Sequence, residues 1–139
     1  DVLASISRLM NDIVTSKHRK LAGKVSSMLN IKPIIALREG EIHAAGVSMG
    51  RKKSLDKVLS TAKGYLSENF SRGEDFSITV GYGSDHEEAA GFRAKVAEML
   101  EGLRLSTEIP IRRIGAVIGV HTGPYPIGVG ILRRACKAI

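Results

Sequence analysis

At 139 residues, of which 43% are hydrophobic and 25% charged, the chain is long enough to fold as a single domain spanning residues 1–139 without disulfides or metal ions. No apolar run approaches the roughly 20 residues that cross a bilayer, and the lone Cys136 excludes an internal disulfide framework. We therefore expect a cytoplasmic protein with no membrane span. The net charge of +7 suggests an anionic partner, but an aromatic content of 4% without tryptophan argues against single-stranded nucleic-acid binding.

The first third of the chain predicts two helices and a hairpin. We expect a short strand at residues 2–4, helices at 6–13 and about 19–29, and strands at 34–37 and 42–47. Pro33 prevents the second helix from continuing, because its ring removes a backbone donor. Gly40, between the two strands, can adopt the positive φ that a tight hairpin turn requires.

The rest of the chain predicts alternating helices and strands. We expect a helix at residues 55–66, a polar loop at 71–75, a strand at 78–82, a helix from 84 to about 103, and strands at 107–111 and 127–131. Ser84 and Glu87 have the spacing of a capping box at the start of the second of these helices. Pro110 predicts that its strand lies at a sheet edge or starts irregularly.

This order of elements predicts an α/β fold, a mixed β-sheet with helices packed on it in a two- or three-layer sandwich. The strand-helix-strand stretch from residue 78 to 111 suits a right-handed crossover between parallel strands. The hairpin supplies antiparallel pairing.

The run Ala-Val-Ile-Gly-Val-His-Thr-Gly-Pro at residues 116–124 sets an imidazole and a hydroxyl on a glycine-proline turn between apolar segments. A buried imidazole needs hydrogen-bond partners, so under one interpretation His121 is a satisfied core residue at a strand crossing. Under the other, His121, Thr122 and a backbone N–H of the turn at Gly123 hold a carboxylate or phosphate oxygen. The residues alone leave both interpretations open.

Basic residues crowd two segments. Arg51, Lys52 and Lys53 stand at the predicted start of a helix, where cations oppose the helix dipole and a nearby anion would relieve the conflict. The alternative is that they are solvated surface charges, and the cluster at residues 17–20 is equally ambiguous. The histidines lack metal-ligand spacing, and no residues match a hydrolase triad or a carboxylate pair. We therefore expect no metal site and no catalytic residue.

Three segments occur in a specific order: SSMLNIKPII at residues 26–35, GRKKSL at 50–55 and GAVIGVHTGP at 115–124. Together they resemble the C-terminal domain of the DegV family. The resemblance extends over nearly the whole chain, from the first predicted strand to the last.

The resemblance implies a two-domain bacterial protein that binds a long-chain fatty acid, with the carboxylate at the domain junction and the tail in an apolar tunnel. Family members serve as acyl-carrying subunits of fatty-acid kinase, so the implied partners are the fatty acid and the kinase, with no cofactor and no catalysis by the chain itself. By resemblance, His121, Thr122 and Gly123 stand near the head group. Arg51 and Lys17 lie toward the end where phosphate or the kinase arrives.

Two segments depart from the family pattern. Lys17 stands in Thr-Ser-Lys-His-Arg where the family has Gly-Gly-Arg, and lysine cannot reproduce the bidentate geometry of a guanidinium. Tyr125 and Pro126 stand where small residues are usual, which narrows the pocket mouth or alters the turn. The family's N-terminal domain, which carries the Ser/Thr motifs for the carboxylate, is expected to be missing from this chain.

We therefore expect half of a fatty-acid site, whose open apolar surface favours a homodimer or docking to the N-terminal domain. Two other functions stay open. One is a non-catalytic interaction or regulatory domain of a larger multidomain protein, packed against a kinase-like neighbour. The other is a basic nucleic-acid-binding module, which predicts steeply salt-dependent association.

Overall fold

The computed structural model of the chain describes residues 31–135. The chain divides into two compact units, Asp1–Ser54 and Leu55–Ile139, with the boundary inside one helix. The strand predicted at residues 2–4, the helices predicted at 6–13 and 19–29, and Lys17 lie outside the described residues.

In the first unit, β1 (Ile31–Arg38) and β2 (Glu41–Met49) form an antiparallel hairpin. The two residues between the strands, Glu39 and Gly40, have positive φ angles of 54° and 82°. Two consecutive residues with positive φ are typical of a type I′ turn, whose twist matches that of the flanking strands. The hairpin predicted from the sequence is confirmed, and both strands extend beyond their predicted bounds.

One helix, α1 (Arg51–Asn69), crosses the boundary between the units. It is followed in the second unit by a 3₁₀ turn (Gly73–Asp75), β3 (Phe76–Tyr82), α2 (His86–Gly102), β4 (Ile111–Arg113), α3 (Ala116–Thr122) and β5 (Ile127–Arg133). β3 is the central strand, parallel to β4 and antiparallel to β5, so this three-stranded sheet is mixed. The predicted α/β fold class is confirmed.

One face of β3 carries the core of the second unit. Phe76, Ile78 and Val80 share this face because successive strand residues alternate, and each is at most 1% exposed. Helices α1 and α2 pack against it with the residues that helical spacing predicted: Ala62 and Leu66 from α1, and Ala89, Phe92, Val96 and Met99 from α2. The sheet and these helices form two layers.

The start of α2 differs from the sequence prediction. The cap is Asp85 and not Ser84, because the Asp85 carboxylate accepts the backbone N–H of Glu88 at 2.8 Å. Asp85 and Glu88 are three residues apart, as are Ser84 and Glu87, so the cap is shifted by one residue from the predicted position. The carboxylate of Asp85 also complements the positive end of the helix dipole.

The strand predicted at residues 107–111 is also wrong in its bounds, since pairing is confined to β4. Pro110 has no N–H to donate, and its carbonyl instead accepts the N–H of Val80 at 3.0 Å. Regular pairing begins only beyond it. The edge position that Pro110 predicted is confirmed, because β4 is an outer strand of its sheet.

The apolar run before the glycine-proline turn is helical. It forms α3, which begins after Gly115 and ends at Gly123, where φ is 81°. The strand crossing considered for His121 is therefore wrong. A short apolar run carries no periodicity that separates a helix from a strand, and this explains the error.

Candidate functional site

The carboxyl ends of β3 and β4 lie at the same end of the sheet because the strands are parallel, with Tyr82 opposite Arg113. The antiparallel β5 begins at this end, where Ile127 also pairs with Tyr82. Three connecting segments therefore meet there: residues 83–85, 114–115 and 123–126. Ligands of α/β proteins commonly bind outside the carboxyl ends of parallel strands.

Two backbone hydrogen bonds fasten these connections. The N–H of Ile114 donates to the carbonyl of Tyr82 at 2.7 Å, and the N–H of Gly83 donates to the carbonyl of Pro126 at 2.9 Å. A Cβ on Gly83 would overlap the carbonyl oxygen of Pro124, so only glycine permits this close approach. The turn after α3 is thus held directly against the end of β3.

Helix α3 presents an apolar surface. Val117 is 80% exposed, Val120 is 76% exposed and Ile118 is 38% exposed. Val117 and Val120 are three residues apart, so they share one side of the helix. We call Val117, Ile118 and Val120 the apolar patch. Clustered exposed apolar side chains typically mark a surface that binds a lipid or another protein surface.

Polar groups follow the apolar patch at the end of α3, and two of them are used inside the helix. The Thr122 hydroxyl donates to the carbonyl of Ile118 at 3.1 Å, and the N–H of Gly123 donates to the carbonyl of Gly119 at 2.9 Å. In this arrangement Thr122 offers a ligand the lone pairs of its oxygen. The backbone N–H of Gly123 is already bonded.

The predicted site residues fall into three groups. His121, Thr122 and Gly123 are consecutive at the end of α3, so they share one end of the sheet in the second unit. Arg51 is the first residue of α1 and belongs to the first unit, where its carbonyl accepts the Ser54 hydroxyl at 2.7 Å. Lys17 lies outside the described residues.

Sequence reasoning missed three residues at this end of the sheet. Arg112 and Arg113 are exposed on β4 and bring two guanidinium groups, which suit carboxylate and phosphate oxygens. Two consecutive arginines directly after the strand predicted at residues 107–111 were a signal that could have found them. Gly83 had no such signal, because its constraint comes from a loop much later in the chain.

A cleft elsewhere in the second unit is small. It has a volume of about 220 Å³ and is lined mainly by Leu100, Glu101, Leu105, Ser106, Thr107 and Ile109. Pockets that enclose organic ligands usually have about 300–1,000 Å³. The end of the sheet with the apolar patch is therefore the better candidate for a ligand site.

Two features are absent from residues 31–135. No group of three His, Cys, Asp or Glu side chains in this stretch is arranged to hold a metal ion. None of the helices described there combines the length and the apolar character needed to cross a bilayer.

Residues 19–134 match the family model described as "Uncharacterised protein, DegV family". Two similar proteins are described as DegV domain-containing proteins. The one from Deinococcus radiodurans is 33% identical over 107 residues, which cover 77% of this chain and 35% of the relative. The one from Clostridium perfringens is 33% identical over 116 residues, which cover 83% of this chain and 38% of the relative.

Solved structures show the same similarity. A stearic-acid-binding protein from Eubacterium ventriosum has a TM-score of 0.62 and 34% identity, covering 84% of this chain and 41% of that protein. A DegV family protein from Thermus thermophilus, described for its fatty-acid binding, has a TM-score of 0.63 and 30% identity, with coverages of 80% and 37%. The chain thus spans well under half the length of each relative. Since the family model matches most of its residues, the chain belongs to the DegV family.

Proposed function

We propose that this chain is part of a long-chain fatty-acid-binding protein and supplies one wall of the ligand site. The observation that carries the proposal is the apolar patch of α3, which is followed directly by His121, Thr122 and Gly123 at the carboxyl end of the sheet. A fatty acid needs an apolar surface for its tail next to polar groups for its carboxylate. Two relatives at least 30% identical to the chain, described as fatty-acid-binding proteins, support the same ligand class.

The apolar patch suits the alkyl tail. Burial of each CH₂ group contributes about 0.8 kcal/mol, so affinity rises with the length of tail that is removed from water. Val117 and Val120, at 80% and 76% exposure, can cover the tail on one side only. A second surface must complete the site. We assign this surface to the N-terminal domain of the family, with a homodimer as the alternative.

The end of α3 suits the carboxylate. His121 supplies ring nitrogens that can donate a hydrogen bond, and Thr122 can donate its hydroxyl once the carboxylate replaces the carbonyl of Ile118 as its acceptor. Gly123 shapes the turn with a φ of 81°, which other residues rarely adopt. Arg112 and Arg113 add positive charge at the same end of the sheet, and this attracts an anionic head group.

The chain itself performs no chemistry in this proposal. It acts as an acyl carrier that shields the tail and presents the carboxylate to a partner kinase. Arg51 and Lys17 contact the phosphate or the kinase. The net charge of +7 supports the approach of a phosphorylated or acidic partner.

Fatty-acid binding is tested on the intact protein encoded by the complete gene. The protein is purified without added lipid, and native mass spectrometry is used to detect a bound long-chain fatty acid that exchanges with added oleate. A protein that neither carries a fatty acid nor binds oleate would contradict the proposal. If another domain of that lipid-free protein also protected α3 from hydrogen exchange, the result would favour the alternative function, a non-catalytic interaction domain of a larger protein.

The carrier role needs a separate measurement. The oleate-loaded protein is incubated with a fatty-acid kinase and ATP, and conversion of the bound oleate to acyl phosphate is expected. If the protein binds oleate but the kinase does not convert it to acyl phosphate, the proposed fatty-acid site stands and the proposed carrier role is contradicted.

A further inference from the structure

The segment Pro124, Tyr125 and Pro126 holds one aromatic side chain on a rigid backbone. Each proline fixes its own φ, and each disfavours helical geometry at the residue before it. The carbonyl of Pro126 accepts the N–H of Gly83 at 2.9 Å, and the carbonyl of Pro124 lies where a Cβ of Gly83 would be. The backbone of Tyr125 is therefore fixed against the end of β3.

The backbone of Tyr125 lies close to the groups proposed for the head group. Its Cα is two residues from that of Gly123, so the two are at most about 7 Å apart. The side chain is 62% exposed although its backbone is anchored. A tyrosine has an apolar ring and a polar tip, which matches a ligand whose alkyl chain ends in an oxygen group.

A carboxylate on this turn needs hydrogen-bond donors. Two donors of the turn are used inside α3, because the Thr122 hydroxyl bonds to Ile118 and the Gly123 N–H bonds to Gly119. Tyr125 carries the other hydroxyl between residues 116 and 127. A bond from a phenol to a carboxylate is charge-assisted and about twice as strong as a neutral one. A carboxylate therefore competes well with any neutral acceptor for this phenol.

We propose that Tyr125 is a specificity-determining residue that selects a carboxylate over a neutral head group. The phenol O–H donates to one carboxylate oxygen, and the ring covers the methylene groups next to it. This inference rests on the proposed fatty-acid binding and adds to it the residue that recognises the head group.

The test uses the intact protein after removal of bound lipid, titrated with oleate and with oleyl alcohol by isothermal titration calorimetry. Tyr125→Phe keeps the ring and removes the hydroxyl, so it should weaken oleate binding about 10-fold and oleyl alcohol binding less than about 3-fold. Tyr125→Ala should weaken both ligands. The matched control is Tyr65→Phe, a change at another exposed tyrosine, and it should alter neither affinity.

Thermal melting of each variant establishes that it is folded, and Tyr125→Phe is small enough to retain the native structure. Wild-type oleate affinity in both Tyr125 variants would overturn the inference while leaving fatty-acid binding in place. Equal weakening of oleate and oleyl alcohol by Tyr125→Phe would also overturn it. A wild-type protein that binds neither ligand would instead overturn the proposed function itself.

Discussion

Arg133, the last residue of β5, lies over the ring of Phe70, with the guanidinium carbon 4.7 Å from the ring centroid. Its Nη2 also donates to the carbonyl of Asn69 at 3.4 Å. Asn69 ends α1, where backbone carbonyls lack partners within the helix and a cation complements the helix dipole. One side chain therefore ties the last strand to the end of α1.

Replacing Arg133 with alanine should lower the free energy of unfolding by about 1 kcal/mol, because it removes the cation–π contact and the bond to Asn69. Urea denaturation followed by circular dichroism measures the change. Arg134→Ala is the control: Arg134 is exposed, and its backbone N–H, which alanine retains, donates to the carbonyl of Asp75 at 2.9 Å. Equal losses in the two variants would show that the contact with Phe70 contributes nothing.

Gly83→Ala should destabilise the second unit by about 1–3 kcal/mol, because the added Cβ overlaps the carbonyl oxygen of Pro124 and forces the turn away from β3. Gly91→Ala is the control, and it should change stability in the opposite direction. Gly91 lies inside α2 with open space around a Cβ, so alanine there should stabilise by about 0.5–1 kcal/mol. Melting temperatures of the two variants that move in the same direction would argue against this packing of the turn.

The start of α2 gives a third prediction. Asp85→Ala should cost about 1 kcal/mol of stability, since it removes the acceptor for the N–H of Glu88. Ser84→Ala should change stability by less than about 0.5 kcal/mol, because Ser84 is exposed and precedes the cap. If chemical denaturation showed a larger loss of stability for Ser84→Ala than for Asp85→Ala, the result would support the capping box of Ser84 and Glu87 that the sequence predicted.

Elements that depend on neighbours in the sequence could be predicted from it. The hairpin follows from Gly40 between two apolar runs, and the buried face of α2 follows from the helical spacing of Phe92 and Val96. Gly83 could not be identified in this way. The atom that excludes a side chain at Gly83 belongs to Pro124, and only the folded sheet brings the two residues together.

The candidate site was predictable in its residue types but not in its geometry. The sequence identifies His121, Thr122 and Gly123 as polar groups after an apolar run, and it offers the N–H of the turn as a donor. In the structure the run is a helix, so the N–H of Gly123 bonds back to Gly119. The helical conformation also leaves Val117 and Val120 exposed.

The role of the apolar patch in binding the tail can be tested by introducing one charged side chain into it. Val120→Asp should weaken oleate binding by the intact protein more than about 10-fold, because a carboxylate beside the alkyl tail is costly to desolvate. Stability should change little, since Val120 is 76% exposed. Leu132→Asp is the control, because Leu132 is 72% exposed but pairs with Ser77 near the other end of β3. Equal oleate affinities in the two variants would exclude the patch as the tail surface.

His121→Ala separates the two roles open to this histidine. A head-group role predicts that oleate affinity falls about 10-fold while the melting temperature stays near that of the wild type, because the lost bond is one to a charged ligand. We expect this result. Thr122→Val is the companion variant: it keeps the side-chain volume and removes the hydroxyl that bonds to Ile118, so it should affect both readouts weakly. A His121→Ala protein that melts much earlier but binds oleate as tightly as the wild type would assign the histidine to packing.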